Sequence, residues 1–374
     1  MTSTATSTRA GAIRGSTLLR SLTLVVIVGV VLLLLTEQFS AYRNLQLASG
    51  AYFFCVLAGL TVLAGSSGQV SLGHGAFMAV GAYTFALLNL NEHWSVFPAL
   101  VASVVAALLI GIPVGAAASR LRGPYLAGAT LAFAVGLPAL ADKFPSLFGG
   151  ENGLAINPPI PPPWLGSNFP LERWEAWIAC GGALIVLFVL YNVTHSGIGR
   201  SWRAVRDDEI AAALAGLHVG RRQTLAFAIS AAAAGLGGGL LAAVTQLADP
   251  GSFPLQLSLT LLTGVVIGGL GSLVGAVWGA ALLVLLPNWT TDLANSFSLS
   301  TNVSHNLPIA IYGIVLIAAM LVWPSGIQGG VRAIAHAVRP AMPSRSRHDA
   351  SEPAKGEPTK DEPNKDEGVK ASQP

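Results

Sequence analysis

Charged side chains are scarce over most of this chain. They make up 10% of its 374 residues, whereas hydrophobic residues make up 52%, and soluble domains carry about 25% charged residues. Residues 44–119 contain one charged side chain, Glu92, and residues 223–331 contain only Asp249 and Asp292. These stretches include runs of about 20 apolar residues, the length that a helix needs to cross a bilayer. A soluble globular fold is therefore excluded, and the chain is an integral membrane protein.

The usual signatures of catalysis and of cofactor binding are missing. The two cysteines, Cys55 and Cys180, lie in apolar stretches and lack the spacing of metal ligands or of a disulfide framework. The sequence has no spaced acidic motif, no Ser/His/Asp set and no glycine-rich loop that ends in Lys-Ser or Lys-Thr. We therefore expect no enzyme activity, no metal and no cofactor in this chain, so that any ATP would be used by a separate subunit.

Two other classes of protein are disfavoured by the charge pattern. The net charge of +3 is small and gives no indication of nucleic-acid binding. Carriers driven by protons or sodium commonly place a carboxylate inside the membrane, and no aspartate or glutamate lies at the middle of an apolar segment here. A secondary transporter that works alone remains a weaker alternative, recognisable by uptake that survives without ATP.

The apolar runs predict an all-α membrane protein with eight to ten transmembrane segments. Residues 255–286 are too long for one simple span at a rise of about 1.5 Å per residue, and glycines near 268–272 divide them into two. We predict a cytoplasmic segment at 1–17, a transmembrane domain at 18–331, and a charged, disordered cytoplasmic tail at 332–374. The predicted spans are 18–35, 45–64, 69–90, 97–119, 124–140, 177–193, 223–247, two within 255–286, and 308–323.

Arginine and lysine predict which ends of the spans face the cytosol, because they concentrate on that side. Arg120 and the arginine-rich segment 195–222 are placed inside, and the proline-rich loop 141–174, poor in cations, is placed outside. Ten segments then leave both termini in the cytosol. Residues 45–140 and 223–323 would begin on opposite sides of the membrane, which suggests an inverted repeat of two halves.

Small residues recur every four positions in three of the spans. This spacing produces a flat helix face on which a neighbouring helix can approach closely. Close packing is the favoured interpretation, and glycine-broken helices that line a substrate path are the alternative. The glycines predicted to pack helices include Gly75, Gly235, Gly239, Gly271 and Gly275.

Residues 68–77, GQVSLGHGAF, bring polar groups into an otherwise apolar region. Gln69, Ser71 and His74 are our candidates for a substrate path, since an ionisable side chain inside a membrane span is commonly functional. The alternative is a histidine that only bonds neighbouring helices together.

The segment 195–222 is a polar island between two apolar halves. Asp207 or Asp208 can cap the start of a short helix, and the helix is expected to end near Gly216. Its apolar positions share one edge, which would lie on a membrane surface or against a partner. These positions are Ile210, Leu214 and Leu217.

Four stretches of the chain are, in order, GQVSLGHGAFMAVGAY at 68–83, LRGPYLAGATLAFA at 121–134, RAVRDDEIAAALAGLHVGRRQTLAFAISAAAAGLGGGLLA at 203–242 and GGLGSLVGAVWGAALL at 268–283. Together they resemble the LivM-type permease subunits of bacterial branched-chain amino acid ABC transporters. The resemblance covers nearly all of residues 20–330 and implies a multi-pass protein of the bacterial cytoplasmic membrane that imports leucine, isoleucine and valine by alternating access. Permeases of urea and short-chain amide importers share the pattern and remain an alternative.

The resemblance also implies partners. In that family the cytoplasmic loop docks on a cytosolic ABC ATPase, and the permease works in membrane lipid with a second permease subunit and an extracytoplasmic substrate-binding protein. EIAAALAG resembles the Glu-Ala-Ala…Gly coupling motif of importer permeases. Carried over, the ATPase-coupling role falls on Arg203, Glu209, Ala211, Ala212 and Gly216.

Overall fold

Helices dominate the chain, as the sequence predicts. The computed structural model describes residues 4–331 except 92–93, 122, 167, 297–309, 312, 315–316, 319–320 and 322–325. In this part of the chain the helices with defined bounds are α1 (Thr4–Gln38), α2 (Ala41–Ser67), α3 (His74–Asn91), α4 (Val96–Ala118), α5 (Pro124–Lys143), α6 (Pro145–Phe148), α7 (Leu171–His195), α8 (Gly197–Asp207), α9 (Glu209–Leu214), α10 (Val219–Thr245), α11 (Leu255–Gly268) and α12 (Leu273–Ser296).

Eight helical segments among the described residues are long and apolar enough to cross a membrane. The prediction of an all-α protein with eight to ten transmembrane segments is therefore confirmed. α3 is not one of the eight and carries polar residues at both ends, yet its side chains from His74 to Tyr83 are all buried. A helix surrounded by other helices does not need a uniformly apolar surface, because protein groups rather than lipid meet its polar atoms.

α10 lies at the centre of the bundle, where it packs against α2, α3, α4 and α7. Most of its residues between Ala226 and Ala243 are buried, and many of them are alanine or glycine. Small side chains let neighbouring backbones approach closely, which is the main source of helix association in lipid. The composition of this one helix therefore permits the other four to surround it.

The closest approach is between α3 and α10, whose backbones touch. A Cβ atom on Gly81 would overlap the carbonyl oxygen of Gly235, and one on Gly238 would overlap the carbonyl oxygen of Met78. On another side of α10, Gly239 faces α4, where a Cβ atom would lie 2.9 Å from Ser103 Oγ. Gly239 thus lies at the contact between α10 and α4, and Gly238 contacts α3. Gly235 contacts both helices, because a Cβ atom on it would meet Ala107 of α4 while its carbonyl oxygen meets Gly81 of α3.

Two predicted helix stretches are wrong at their ends. The span expected from residue 69 begins only at His74, so Ser71 precedes the helix that was expected to contain it. Gly271 has a φ of +78° and lies in the turn before α12, so it does not share a helix face with Gly275. Positive φ values favour glycine and end regular helices, which a pattern of spacing alone does not reveal. The expected division of residues 255–286 is confirmed by the turn between α11 and α12.

The two ends of the bundle agree with the predicted topology. Arg120 and Arg221 line the same cleft, at the end predicted to be cytosolic. At the opposite end, strand β1 (Leu154–Ala155) pairs antiparallel with strand β2 (Leu247–Ala248) and ties the long outer loop to the end of α10. The inverted repeat stays a prediction.

Three predicted segments fall partly or wholly outside the described residues. The last span, 308–323, is described only in part, and the tail at 332–374 lies outside the described ranges. α1 begins at Thr4. The described part of the predicted N-terminal segment, residues 4–17, therefore belongs to the same helix as the first span.

Replacing Gly238 by alanine is expected to separate α3 from α10, because the added methyl group would overlap the backbone oxygen of Met78. We expect a loss of about 3 kcal/mol and a fall of roughly 10 °C in the apparent melting temperature of the detergent-purified protein. The matched control is Gly181→Ala on α7, where a Cβ atom meets nothing within 4 Å. Equal melting temperatures for the two variants would contradict the close α3–α10 contact.

Candidate functional site

A buried polar cluster surrounds the start of α3. The ring of His74 is bonded on both sides: its Nε2 lies 2.7 Å from Ser230 Oγ on α10, and its Nδ1 lies 3.2 Å from Ser71 Oγ. A hydroxyl group can donate or accept a hydrogen bond, so the two serines satisfy either neutral tautomer of the imidazole. The structure thus brings Ser71 and His74 together and links them to α10.

The backbone at the start of α3 is held by side chains from two further helices. The Leu72 N–H donates to Thr130 Oγ1 on α5 at 3.0 Å, and the Gly75 N–H donates to Ser258 Oγ on α11 at 3.1 Å. The first N–H groups of a helix have no partner within the helix, and lipid offers none. Gly75 is needed here because a Cβ atom would lie only 2.6 Å from Ser258 Oγ.

Gln69 lies in the same break but outside this network. Its side chain is buried, and among the described residues neither its amide nitrogen nor its amide oxygen has a hydrogen-bond partner. An unpaired buried polar group costs about 1–3 kcal/mol. Gln69 is therefore the candidate path residue whose hydrogen-bonding capacity remains unused.

α8 is anchored to two helices of the bundle. The fully buried Trp202 donates its indole N–H to the carbonyl oxygen of Arg222 at 2.9 Å. The Arg206 guanidinium donates to the carbonyl oxygen of Gly65 at the end of α2 and pairs with Asp207 at 2.7 Å. A cation at a helix C-terminus also complements the helix dipole. α8 therefore connects the end of α2 to the start of α10.

α9 begins and ends where the sequence predicts. Asp208 Oδ1 accepts hydrogen bonds from the N–H groups of Ile210 at 2.8 Å and Ala211 at 3.0 Å, which is the arrangement of an N-cap. Beyond its last turn Gly216 adopts a φ of +84°, a conformation that costs glycine little. A short helix is thus fixed at both ends by its own sequence.

Three of the residues assigned to ATPase coupling face the protein. Arg203 Nη1 donates to the carbonyl oxygen of Thr194 at 3.0 Å, Glu209 Oε1 accepts from Gln223 Nε2 at 2.9 Å, and Ala212 is buried. These contacts fix α8 and α9 against the bundle. The other two assigned residues, Ala211 and Gly216, are exposed.

The large apolar side chains that face outward from α9 are Ile210 and Leu214. They are 73% and 85% exposed, and they are absent from the set of coupling residues assigned by resemblance. Their i, i+4 spacing is the signal that points to them, because residues four apart share one helix face. The exposed edge of α9 is thus apolar, while the motif residues Glu209 and Ala212 support it from behind.

Glu175 is a buried carboxylate that the predicted spans did not include. α7 begins at Leu171 rather than near 177, so Glu175 lies in its first turns, where its Oε1 accepts from Gln246 Nε2 at 3.1 Å. It lies near the predicted outer end rather than at mid-span. Within the described residues no three His, Cys, Asp or Glu side chains come together as metal ligands.

Removing one partner of the His74–Ser230 bond is expected to cost more than removing both. Ser230→Ala leaves a buried ring nitrogen unpaired and should destabilise the protein by about 1–3 kcal/mol, whereas adding His74→Leu removes the polar group itself. Thermal melting of both single variants and the double variant should therefore show a coupling energy of at least about 1 kcal/mol. Additive losses in the melting series would contradict the bond.

Comparisons with known proteins agree with this architecture. The family described as branched-chain amino acid transport system / permease component matches residues 44–322. The chain is 35% identical over 285 residues to the high-affinity branched-chain amino acid transport system permease protein LivM of Salmonella typhimurium, covering 68% of this chain and 65% of that protein. It is 35% identical over 318 residues to LivM of Escherichia coli, and the match covers 77% of this chain and 72% of that protein.

A third relative is LivH of Escherichia coli, another permease protein of a high-affinity branched-chain amino acid transport system. The chain is 25% identical to it over 295 residues, and the match covers 75% of this chain and 92% of that protein. The chain spans just under two thirds of the length of LivM of Salmonella typhimurium. No solved structure matches it.

The matched region contains the polar cluster at His74, the exposed edge of α9 and most of the candidate spans. The apolar helices and the permease relatives together identify a multi-pass protein of the inner membrane. The resemblance drawn from the four sequence stretches is confirmed. The chain belongs to the family of permease components of branched-chain amino acid transport systems.

Proposed function

We propose that the chain is one of two membrane-spanning subunits of an ATP-driven importer for leucine, isoleucine and valine. The observation that carries this proposal is the apolar edge of α9, with Ile210 and Leu214 turned away from the bundle. A short amphipathic helix with a row of apolar anchors is a common way to enter the groove of a partner. The sequence has no loop for binding ATP, so hydrolysis would take place in separate cytosolic subunits.

Because α8 is bonded to the bundle, a movement of the docked α9 would be transmitted to the membrane-spanning helices. A partner that moves α9 would also move α8, which is bonded to α10 through Trp202 and to α2 through Arg206. α10 in turn holds the start of α3 through Ser230 and His74. Closure of the ATPase subunits would therefore reposition α2, α3 and α10 together, which is the movement that alternating access requires.

The substrate path would run past the break between α2 and α3. Ser71 and His74 already have partners and would hold the break in shape beside the path. Gln69 retains a donor and an acceptor, which could bind the charged groups of an amino acid as it passes. The apolar surroundings suit an aliphatic side chain, since apolar contact adds about 25 cal/mol per Å² of buried area.

The remaining partners are those that the family resemblance implies, and we assign them to the two faces of the protein. Two ATPase chains would dock at the end that carries α9, and a second permease subunit would complete the pathway in the membrane. An external binding protein would deliver substrate to the opposite end, where β1 and β2 fasten the long outer loop. The binding protein would perform most of the substrate selection.

A charge on the edge of α9 is expected to detach the ATPase. Leu214 is almost fully exposed, so Leu214→Asp should leave the fold unchanged while reducing the amount of ATPase that co-purifies at least tenfold, equivalent to about 1.4 kcal/mol. Ile160→Asp is the matched control, because Ile160 is 84% exposed in the outer loop. Undiminished retention of the ATPase by Leu214→Asp would rule out this docking surface.

Substrate and energy source are tested together by uptake of labelled leucine, isoleucine, valine and urea in cells with and without the gene. We expect deletion to abolish the uptake of the three amino acids that depends on this system, and ATP depletion to have the same effect. Loss of urea uptake alone would show that urea, rather than a branched-chain amino acid, is the substrate. Uptake through the protein that is indifferent to ATP would overturn the proposed mechanism.

A further inference from the structure

A long groove opens on the side of the bundle between α1 and α12. α1 packs along α7, and α12 packs along α2, so that α2 and α7 form the floor of the groove. Its volume is about 590 Å³. Small residues line the floor at Gly50 and Ala51 on α2 and Ala183 on α7, and the wall at Ala280 and Ala281 on α12.

The two ends of this groove differ in chemistry. Most of its length is lined by aliphatic side chains such as Val28, Leu32 and Leu187. The polar groups lie at the end where α1 leads into α2. Trp289 lies at the same end of α12, because the neighbouring Asn288 accepts a hydrogen bond from Tyr42 of α2 at 3.3 Å. Arg43 and Gln46 are three residues apart on α2 and therefore share a face. The groove is thus apolar along its body and polar at one end.

Arg43 is suited to bind an anion at that polar end. Its side chain is exposed, and among the described residues it makes no ion pair or hydrogen bond. It lies in the first turn of α2, where the helix N-terminus contributes a partial positive charge. Tryptophan is enriched at the level of lipid headgroups, which places this end of the groove at the membrane interface.

We propose that the groove binds one anionic phospholipid, with a fatty-acyl chain along its apolar body and the phosphate on Arg43. A methylene group takes about as much room as a water molecule, roughly 30 Å³, so the groove holds on the order of 20 of them. That is the size of one acyl chain. The polar end lies on the outward side in the predicted topology, so the lipid comes from the outer leaflet of the membrane.

The size of the groove argues against a helix as its occupant. A helix about 10 Å across and 20 residues long occupies on the order of 2,000 Å³, several times the volume of the groove. An exposed cation at one end of an apolar groove matches a phosphate joined to an acyl chain better than it matches the apolar surface of a membrane-spanning helix. The bound lipid fills the gap between α1 and α12 and joins the two helices without a protein contact.

Two glycines allow a matched pair of variants. Gly50 lies on the floor of the groove, and Gly181 lies on α7 outside it; a Cβ atom at either position meets nothing within 4 Å. Gly50→Phe therefore fills the groove without disturbing the packing, and Gly181→Phe adds the same side chain elsewhere. Arg43→Gln removes the cation, with Arg20→Gln on α1, outside the groove, as its control.

The test is native mass spectrometry of the full chain, purified with the subunits that it retains, stripped of lipid and then supplied with phosphatidylglycerol or phosphatidylcholine. We expect one tightly bound phosphatidylglycerol per chain, at least tenfold preferred over phosphatidylcholine. Gly50→Phe should reduce the binding of both lipids at least tenfold. Arg43→Gln should abolish only the preference between headgroups, and the two control variants should bind as the unaltered protein does.

Two results would overturn the proposal. If Gly50→Phe binds lipid as tightly as Gly181→Phe does, the lipid is merely part of the surrounding layer. If Gly50→Phe keeps its lipid but loses the second permease subunit, the groove is an interface between proteins. Monodisperse elution of each variant shows that a loss of lipid does not come from unfolding.

Discussion

In the interior of a membrane every backbone N–H and C=O group must find its partner within the protein, because lipid supplies none. This constraint governs the break between α2 and α3. The free N–H groups at the start of α3 are met by hydroxyl groups of Thr130 and Ser258, and the carbonyl oxygen of Gly65 at the end of α2 is met by Arg206. The break is stable because side chains from several distant parts of the chain form hydrogen bonds to its backbone.

The hydrogen bonds around this break also link two parts of the molecule that have different proposed roles. Arg206 belongs to α8, which leads directly into the exposed edge of α9, whereas His74 belongs to the buried cluster beside the proposed path. Both are joined to α2 or α10. The bond from Arg206 to Gly65, which satisfies a backbone group at the break, is thus also one of the bonds through which a movement of α9 would reach the interior.

Close packing provides the rigidity that such a link needs. α3 and α10 touch through glycine, so neither can shift without moving the other. The side of the bundle between α1 and α12 is different, because there the helices leave a groove rather than a contact. Lipid in that groove would take the place of a protein contact between α1 and α12, while the central helices pack directly against one another.

The sequence alone determined the class of the protein, most span positions and the capped helix at Asp208, because apolar length, sparse charge and turn residues act locally along the chain. It also indicated the family through four ordered stretches. Only the tertiary structure decided that His74 bonds to Ser230, that α3 touches α10 at both Gly235 and Gly238, and that Glu209 turns inward to Gln223 behind the exposed edge of α9. Those outcomes depend on which residues, far apart in the chain, come to lie beside one another when the helices pack, and spacing within one helix carries no information about its neighbours.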